Sequence, residues 1–266
     1  MRLKINMVGG GFQHQISSHR EESKWIELVK NGAADVSMHI DHAITEPVNP
    51  TKRNFAWIFE STAIVPGVVN YLITNIAKVE ENFELIFTHD KRLLSLSPKM
   101  RWCVPQCKAW IKESKIYPKT KLISMIASTK VMCQGHLYRQ EIAQKYKNKV
   151  DLYGNGHRRI EDKIEGLADY CFSISMENDS YPTNFTEKLA DCFATGTIPI
   201  FWGATDVGEY FNSEGIIFLD DKFDIDELSF DLYQSKLDFV EENFTRLKKF
   251  PNPEDFLFVN YFSKII

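Results

Sequence analysis

The sequence predicts an α/β fold with mostly parallel sheets, and three observations carry that prediction. Short apolar strands alternate with helical stretches along the whole chain, which is the pattern of βαβ units. Hydrophobic residues make up 44% of the 266 positions, enough to fill one large core or two smaller ones. A polar stretch, Lys112–Lys121 (KESKIYPKTK), is interrupted by Pro118 and is the best linker candidate. It predicts a first domain over 1–115, a second over 116–250 and a terminal helix over 251–266.

The first strand is 3–8 (LKINMV), leading into Gly9-Gly10-Gly11, and a helix is expected at 20–30. Strands follow at 34–40 (ADVSMHI), 54–60 (NFAWIFE) and 84–88 (ELIFT), the last two flanking a helix at 66–79. After the linker come strands 121–127 (KLISMIA) and 149–154 (KVDLYG), with helices at 136–146 and 160–169. In the strand 171–177, Phe172, Ile174 and Met176 alternate with small residues until Glu177-Asn178-Asp179-Ser180 breaks the pattern. Thr186 caps a helix over 186–195 whose Leu189, Cys192 and Phe193 recur at helical spacing, and Gly196 ends it. Strands 198–203 and 215–219 (GIIFL) and helices 225–247 and 252–264 complete the chain. No internal repeat is present. Alternation by itself leaves open either two Rossmann-like halves or a single flavodoxin-like sheet.

The formal net charge is −4, so composition offers no broad basic face and excludes nucleic acid as the expected partner. The N-terminus, MRLKINMVGGG, lacks an apolar core of signal-peptide type, and no 18-residue apolar run occurs, so neither a signal peptide nor a membrane span is expected. Of the five cysteines, Cys171 and Cys192 fall on apolar faces of a strand and a helix. Cys103 and Cys107 form a lone C-x-x-x-C, which lacks the second pair of a zinc site. An odd cysteine count without a secretion signal predicts reduced thiols and a cytoplasmic protein. The glycosylation sequons at Asn178, Asn184 and Asn243 then carry no meaning.

The most informative stretch is Tyr170–Gly203, where a buried strand, a polar loop, a Thr-Glu-Lys turn, a helix and a second apolar strand follow in order. Phosphorylated ligands bind where such a strand ends and the next helix begins. Within it, Tyr170-Cys171-Phe172, Glu177-Asn178, Thr186-Glu187-Lys188, Ile198-Pro199-Ile200 and Trp202-Gly203 stand in the order of a known pattern. That pattern resembles the donor-binding core of glycosyltransferase family 10, the α-1,3/1,4-fucosyltransferases. The chain departs from it at Cys171, where the family has Lys, and at Asn184, where it has a Tyr that contacts the donor. Animal members carry an N-terminal membrane anchor, so this chain looks more like a bacterial or viral member.

The resemblance implies two Rossmann-like domains facing a cleft, the GT-B arrangement, and an inverting transfer of fucose from GDP-fucose, or of another GDP-sugar, to a glycan acceptor. It implies no required cofactor and a divalent metal that is at most stimulatory. The sequence agrees, since Asp224-Ile225-Asp226 falls at a helix start and Asp220-Asp221 at a solvated strand end. Side-chain cations then meet the diphosphate. Lys188 stands in the first turn of a helix, where a cation is disfavoured by up to about 1 kcal/mol unless an anion binds there. One ammonium ~4 Å from a phosphate charge contributes roughly 4 kcal/mol before desolvation. By resemblance, Arg139 contacts the diphosphate from the helix after the strand ending at Ser128; Lys130, in the intervening loop, is placed to supplement or replace it. A guanidinium suits phosphate because its fork donates two bonds at once.

Glu187 would accept the ribose hydroxyls, Asn178 and Asn184 would contact the donor, and Tyr153-Gly154 would border the guanine, with Arg158 and Arg159 nearby. The general base expected by resemblance is Glu60, in Trp57-Ile58-Phe59-Glu60-Ser61, with burial against Trp57 and Phe59 raising its pKa toward working pH. Each residue also has a bland alternative as a solvated or packed side chain. Against these expectations stand a catalytically silent nucleotide-sugar- or glycan-binding protein and a dehydrogenase-type Rossmann protein. The dehydrogenase is disfavoured because His14 breaks the G-x-G-x-x-G fingerprint.

Overall fold

A computed structural model describes residues 2–9, 21–30, 34 and 36–266. Gly10, Gly11 and His14 lie outside the described residues. The chain divides into two compact units, Met1–Gln106 with Pro251–Ile266, and Cys107–Phe250. Each is an α/β unit built on one parallel sheet, as expected of two Rossmann-like halves. A single continuous sheet is therefore ruled out among the described residues.

The first unit carries strands β1 (Leu3–Val8), β2 (Ile26–Val29), β3 (Val36–Ile40), β4 (Arg53–Ile58), β5 (Ile86–Thr88) and β6 (Met100–Trp102), in the order β2-β1-β3-β4-β5-β6. β3 is buried along its whole length, as expected of a parallel strand covered on both faces. Helices α1 (Pro66–Thr74) and α2 (Ile76–Asn82) cover the sheet, with Val68, Leu72 and Val79 packed on Ala56, Ile58 and Ile86. The C-terminal segment joins this unit through α7 (Pro253–Leu257), a π-helical turn at Phe258–Phe262 and α8 (Ser263–Ile265). Phe262 meets the rings of Phe55 and Phe87 at 5.0 and 5.7 Å.

The second unit holds β7 (Lys121–Ile126), β8 (Asp151–Tyr153), β9 (Tyr170–Met176), β10 (Ile198–Trp202) and β11 (Ile217–Phe218), in the order β11-β10-β9-β7-β8. Helices α3 (Gln134–Tyr146), α4 (Glu187–Thr195), α5 (Phe230–Ser235) and α6 (Leu237–Lys249) pack around it. The Thr186 hydroxyl accepts from the Lys188 amide at the start of α4, and Gly196 closes it at φ +71°. In both sheets the strand order reverses beside the first strand, between β7 and β9 here and between β1 and β3 in the first unit. The carboxyl ends of strands flanking such a reversal are where open α/β sheets bind ligands.

Several local expectations are corrected. Residues 26–29 form an edge strand paired parallel with β1, not part of a helix, because Ile26 buries against the sheet and Leu28 and Val29 are partly covered. Strand β6 had no expected counterpart. The long helix at 225–247 is broken at Ser229, which caps α5, and at Lys236. Between 160 and 169 only a 3-10 turn, Lys163–Gly166, forms. The stretch 112–121 is tied down rather than free. Tyr117 donates to the Thr195 carbonyl, and the Lys119 ammonium donates to Ala168, Thr195 and Thr197. Burial lowers that ammonium to about 7. Residues 107–115 fall in the second unit because the Trp110 and Ile111 amides donate to Asp191 of α4 at 2.6 and 3.2 Å.

Candidate functional site

The candidates of the second unit gather where β7 and β9 end. The chain leaves β9 at Glu177, whose amide still donates to the Trp202 carbonyl of β10. Its carboxylate is 1% exposed and turns toward the first turn of α4. One oxygen accepts from the Thr186 amide at 2.8 Å and hydroxyl at 2.9 Å, and the other accepts from Lys188 Nζ at 3.0 Å. A carboxylate here is favoured by the free amides and dipole of the helix N-terminus. Lys188 also donates to Thr186 Oγ1 at 2.9 Å. Burial opposes the charge on Lys188, but Glu177 and Glu187 outweigh it and raise the ammonium above its ordinary value.

The ion pairs continue outward. Glu187 Oε1 lies 3.7 Å from Lys188 Nζ and 3.2 Å from Lys163 Nζ. Burial pushes the Glu187 carboxyl up, yet the two ammoniums hold it at about 2. Lys163 reaches on to Asp191 Oδ2 at 2.8 Å and lies 4.5 Å from the centroid of the Trp110 ring. Asp191 is 1% exposed and has one ammonium partner rather than two, so burial wins and its carboxyl is raised.

Arg139 sits in the second turn of α3 and is buried. Its Nη2 donates to the Met176 and Glu177 carbonyls at 2.8 and 3.0 Å and to Asn178 Oδ1 at 3.1 Å. That nitrogen braces the end of β9, so the fork expected for phosphate is partly committed to the protein. Burial lowers the guanidinium from its usual value, with Glu177 opposing. α3 approaches this turn closely enough that a Cβ on Gly135 would stand 2.2 Å from the Asn178 carbonyl oxygen. His136 in the same turn accepts from the Met132 amide at 3.1 Å. Its pKa is lowered by burial and then by Arg139, Lys130 and Lys188.

Arg139, Asn178, Glu187 and Lys188 are thus joined by one set of contacts through Glu177. Ser128 follows β7, with its carbonyl bonded by Gln140, and Lys130 is exposed in the next turn. Tyr153 and Gly154 end the neighbouring strand β8. The Tyr153 hydroxyl lies 2.6 Å from that of Tyr170, which donates to Asp151 at 2.6 Å. Gly154 has φ +111°, and a Cβ there would meet the Ala127 carbonyl oxygen at 2.0 Å. Asn184 is buried, and its amide nitrogen donates to the Asp179 carbonyl at 2.6 Å within the same loop. Three charged groups had no assigned role in the sequence: Glu177, Lys163 and Asp191. Glu177 stood visible in the Glu-Asn pair, whereas nothing in spacing links Lys163 to positions 24 and 28 residues later.

Glu60 belongs to the first unit and departs from expectation. β4 ends at Ile58, and Glu60 is exposed in the bend beyond it rather than buried against Trp57 and Phe59. Those two rings pack on each other at 5.2 Å instead. The Glu60 amide donates to the Asp41 carboxylate at 3.2 Å. Among the described residues no His, Cys, Asp or Glu side chains cluster as a metal ion needs, and no helix is long and apolar enough to cross a membrane. Asp224 instead caps the 3-10 turn Ile225–Glu227, and Asp226 pairs with Lys149.

Similarity to known proteins bears on this geometry. A stretch of 68 residues is 34% identical to an α-(1,3)-fucosyltransferase of Helicobacter pylori, covering 26% of this chain and 14% of that protein. Another of 103 residues is 30% identical to a fucosyltransferase-like protein of Arabidopsis thaliana, covering 36% of this chain and 20% of that one. Among solved structures, an α1,3-fucosyltransferase with GDP-fucose superposes with a TM-score of 0.53 at 16% identity, over 95% of this chain and 82% of that one. An α-glucosyltransferase in complex with UDP gives 0.52 at 13% identity, over 99% and 98%. Two different nucleotides on one fold mean that the fold alone does not select the donor. The sequence does select a family: residues 116–252, just over half of the chain, match the C-terminal part of glycosyltransferase family 10 (fucosyltransferase), and the chain belongs to that family.

Proposed function

We propose that the chain is an inverting glycosyltransferase that moves fucose from GDP-fucose to a hydroxyl of a glycan acceptor. The observation that carries this reading is the run of paired charges Glu177–Lys188–Glu187–Lys163 at the start of α4, beside Arg139, at the strand reversal of the second unit. Lys188 presents a fixed, partly exposed ammonium to the diphosphate, with Lys130 and Arg139 adding charge from the α3 side. Glu187, held ionised, accepts the ribose hydroxyls. Ser128, Asn178 and the Tyr153-Gly154 turn frame the nucleotide. In the transfer, Glu60 takes the proton of the acceptor hydroxyl, whose oxygen bonds the anomeric carbon as the bond to the phosphate oxygen breaks and GDP departs. Side-chain cations meet the departing charge, so the reading requires no cofactor beyond the GDP-sugar. The free cysteines support a reducing, cytoplasmic setting.

Another GDP-sugar is the second reading, favoured by Asn184. Its amide is spent on the Asp179 carbonyl, so the position where the family's Tyr meets the donor offers a different surface. A thermal-shift panel with GDP, UDP, CMP, GDP-fucose, GDP-mannose and NAD separates these. A nucleotide at about 100 times its Kd stabilises the fold by about 2.7 kcal/mol. Stabilisation by GDP and GDP-fucose supports the first reading, and GDP-mannose in place of GDP-fucose the second. A response to UDP or NAD with GDP silent overturns both.

A further inference from the structure

The first unit has its own strand reversal, and a buried carboxylate stands at it. β3 ends at Ile40 and the next residue, Asp41, has φ +47° and is 9% exposed. The left-handed region disfavours side chains other than Gly, with Asn and Asp the usual exceptions. Asp41 Oδ1 accepts from the Phe59 amide at 2.8 Å and from the Glu60 amide at 3.2 Å, the residues just past β4. The same bend is held from two more strand ends. Gln106 Nε2, beyond β6, donates to the Phe59 carbonyl at 2.7 Å. Arg92 Nη2, beyond β5, donates to Thr62 Oγ1 at 2.8 Å while it pairs with the buried Asp90. Four contacts thus fix the bend at Phe59, at the Glu60 amide and at Thr62, and the Glu60 residue itself is exposed.

We propose that Asp41 is the positioning residue of Glu60, its ionised carboxylate gripping the Phe59 and Glu60 amides and so setting where Glu60 meets the acceptor hydroxyl. This rests on the reading of Glu60 as the general base. A charged acceptor binds amides more strongly than a neutral one, so the grip depends on ionisation. Burial pushes the Asp41 carboxyl up to about 7, the two amides pull it down, and the Glu60 charge adds to the rise. The elements packed on 41–45 bring few other titratable groups: His39 from β3, Arg53 at the far end of β4, Tyr71 from α1, and His42 in the turn itself. His39 is lowered by burial and bonds Ala43 and Asn54 rather than Asp41.

The test is Asp41→Asn, which tolerates the left-handed backbone and keeps an acceptor oxygen while removing the charge. The expected result is a fall in kcat of about 10- to 100-fold with the donor KM unchanged. The acidic limb of the wild-type kcat profile near neutral pH should disappear in the variant. Independently of turnover, the Phe59 and Glu60 amide resonances of the wild type should titrate together, with a midpoint near that limb, and should stay flat in Asp41→Asn. Amides that do not titrate in the wild type overturn the proposal, even if the variant fails to fold. So does a variant with wild-type kcat and an unchanged profile. Glu60→Gln with near-wild-type turnover overturns the base assignment instead, and titrating amides would then show that Asp41 grips the bend without serving this step.

Discussion

Replacing Lys188 by Ala separates what this lysine does for the fold from what it does for transfer. Glu177 is 1% exposed, and without Lys188 its carboxylate keeps only the amide and hydroxyl of Thr186. Breaking a fully buried ion pair costs about 3–5 kcal/mol. Lys188 is 29% exposed, so water reaches the vacated space, and the two Thr186 bonds persist. The loss should therefore be about 2–3 kcal/mol, or a fall in Tm of roughly 4–10 °C for a chain of this size. Adding Glu177→Gln removes the stranded charge and should recover about half of that loss. Transfer should not recover, because the leaving diphosphate still lacks an ammonium, at about 2–4 kcal/mol of barrier or 30- to 1,000-fold in rate. Calorimetry gives the first quantity and GDP release from GDP-fucose with an acceptor gives the second. A single variant that melts within about 1 °C of wild type refutes the buried-pair argument. Near-wild-type turnover refutes the diphosphate role, and the two outcomes are independent.

Glu60→Gln should leave Tm unchanged, because the side chain is exposed, while lowering kcat by about 10²- to 10⁴-fold at constant donor affinity in a titration of GDP binding. Glu187, depressed to about 2, contributes stability that is complete above its ordinary 4.5 and lost as pH falls toward 2. Lys163→Met should shift that acid loss to higher pH and raise the donor KM, both readable from Tm against pH and from kinetics. Lys130→Ala should raise the donor KM by about 10-fold and weaken its salt dependence without changing Tm, since the side chain is exposed. Asp41→Asn should abolish the acidic limb and leave the Phe59 and Glu60 amides flat.

Much of the second unit was legible because its signals are local. The alternation of Phe172, Ile174 and Met176, the Thr186 cap and Gly196 at φ +71° each act within a few residues, and each element formed within a residue or so of its expected ends. The edge strand at Ile26–Val29 was hidden because its pairing with Leu3–Asn6 is a long-range choice that overrides a polar, helix-favouring approach at Glu21–Lys24. Lys163 was invisible for the same reason: its partners stand on a helix that the fold brings back to it. Glu60 shows how a boundary shift changes chemistry. With β4 ending at Ile58, the expected burial is lost, and the buried carboxylate is Asp41, a residue that spacing alone would leave as a strand end.

The charges around α4 hold one another in place within the second unit. Arg139, Lys163 and Lys188 stand against Glu177, Glu187 and Asp191, so the buried and half-buried groups balance. Balance fixes the cations in place, and groups fixed in advance need no reorganisation as charge develops on a leaving group. It also weakens their field, because each ammonium is already turned toward a carboxylate. An anionic diphosphate entering this cluster therefore gains its affinity from charge that the cluster does not neutralise. Under the proposed function Lys130 takes that role, exposed in the loop after β7 and near enough to depress His136. On the same proposal the labour is divided: the inner cations hold the leaving group at the moment of transfer, and the outer lysine draws the donor in.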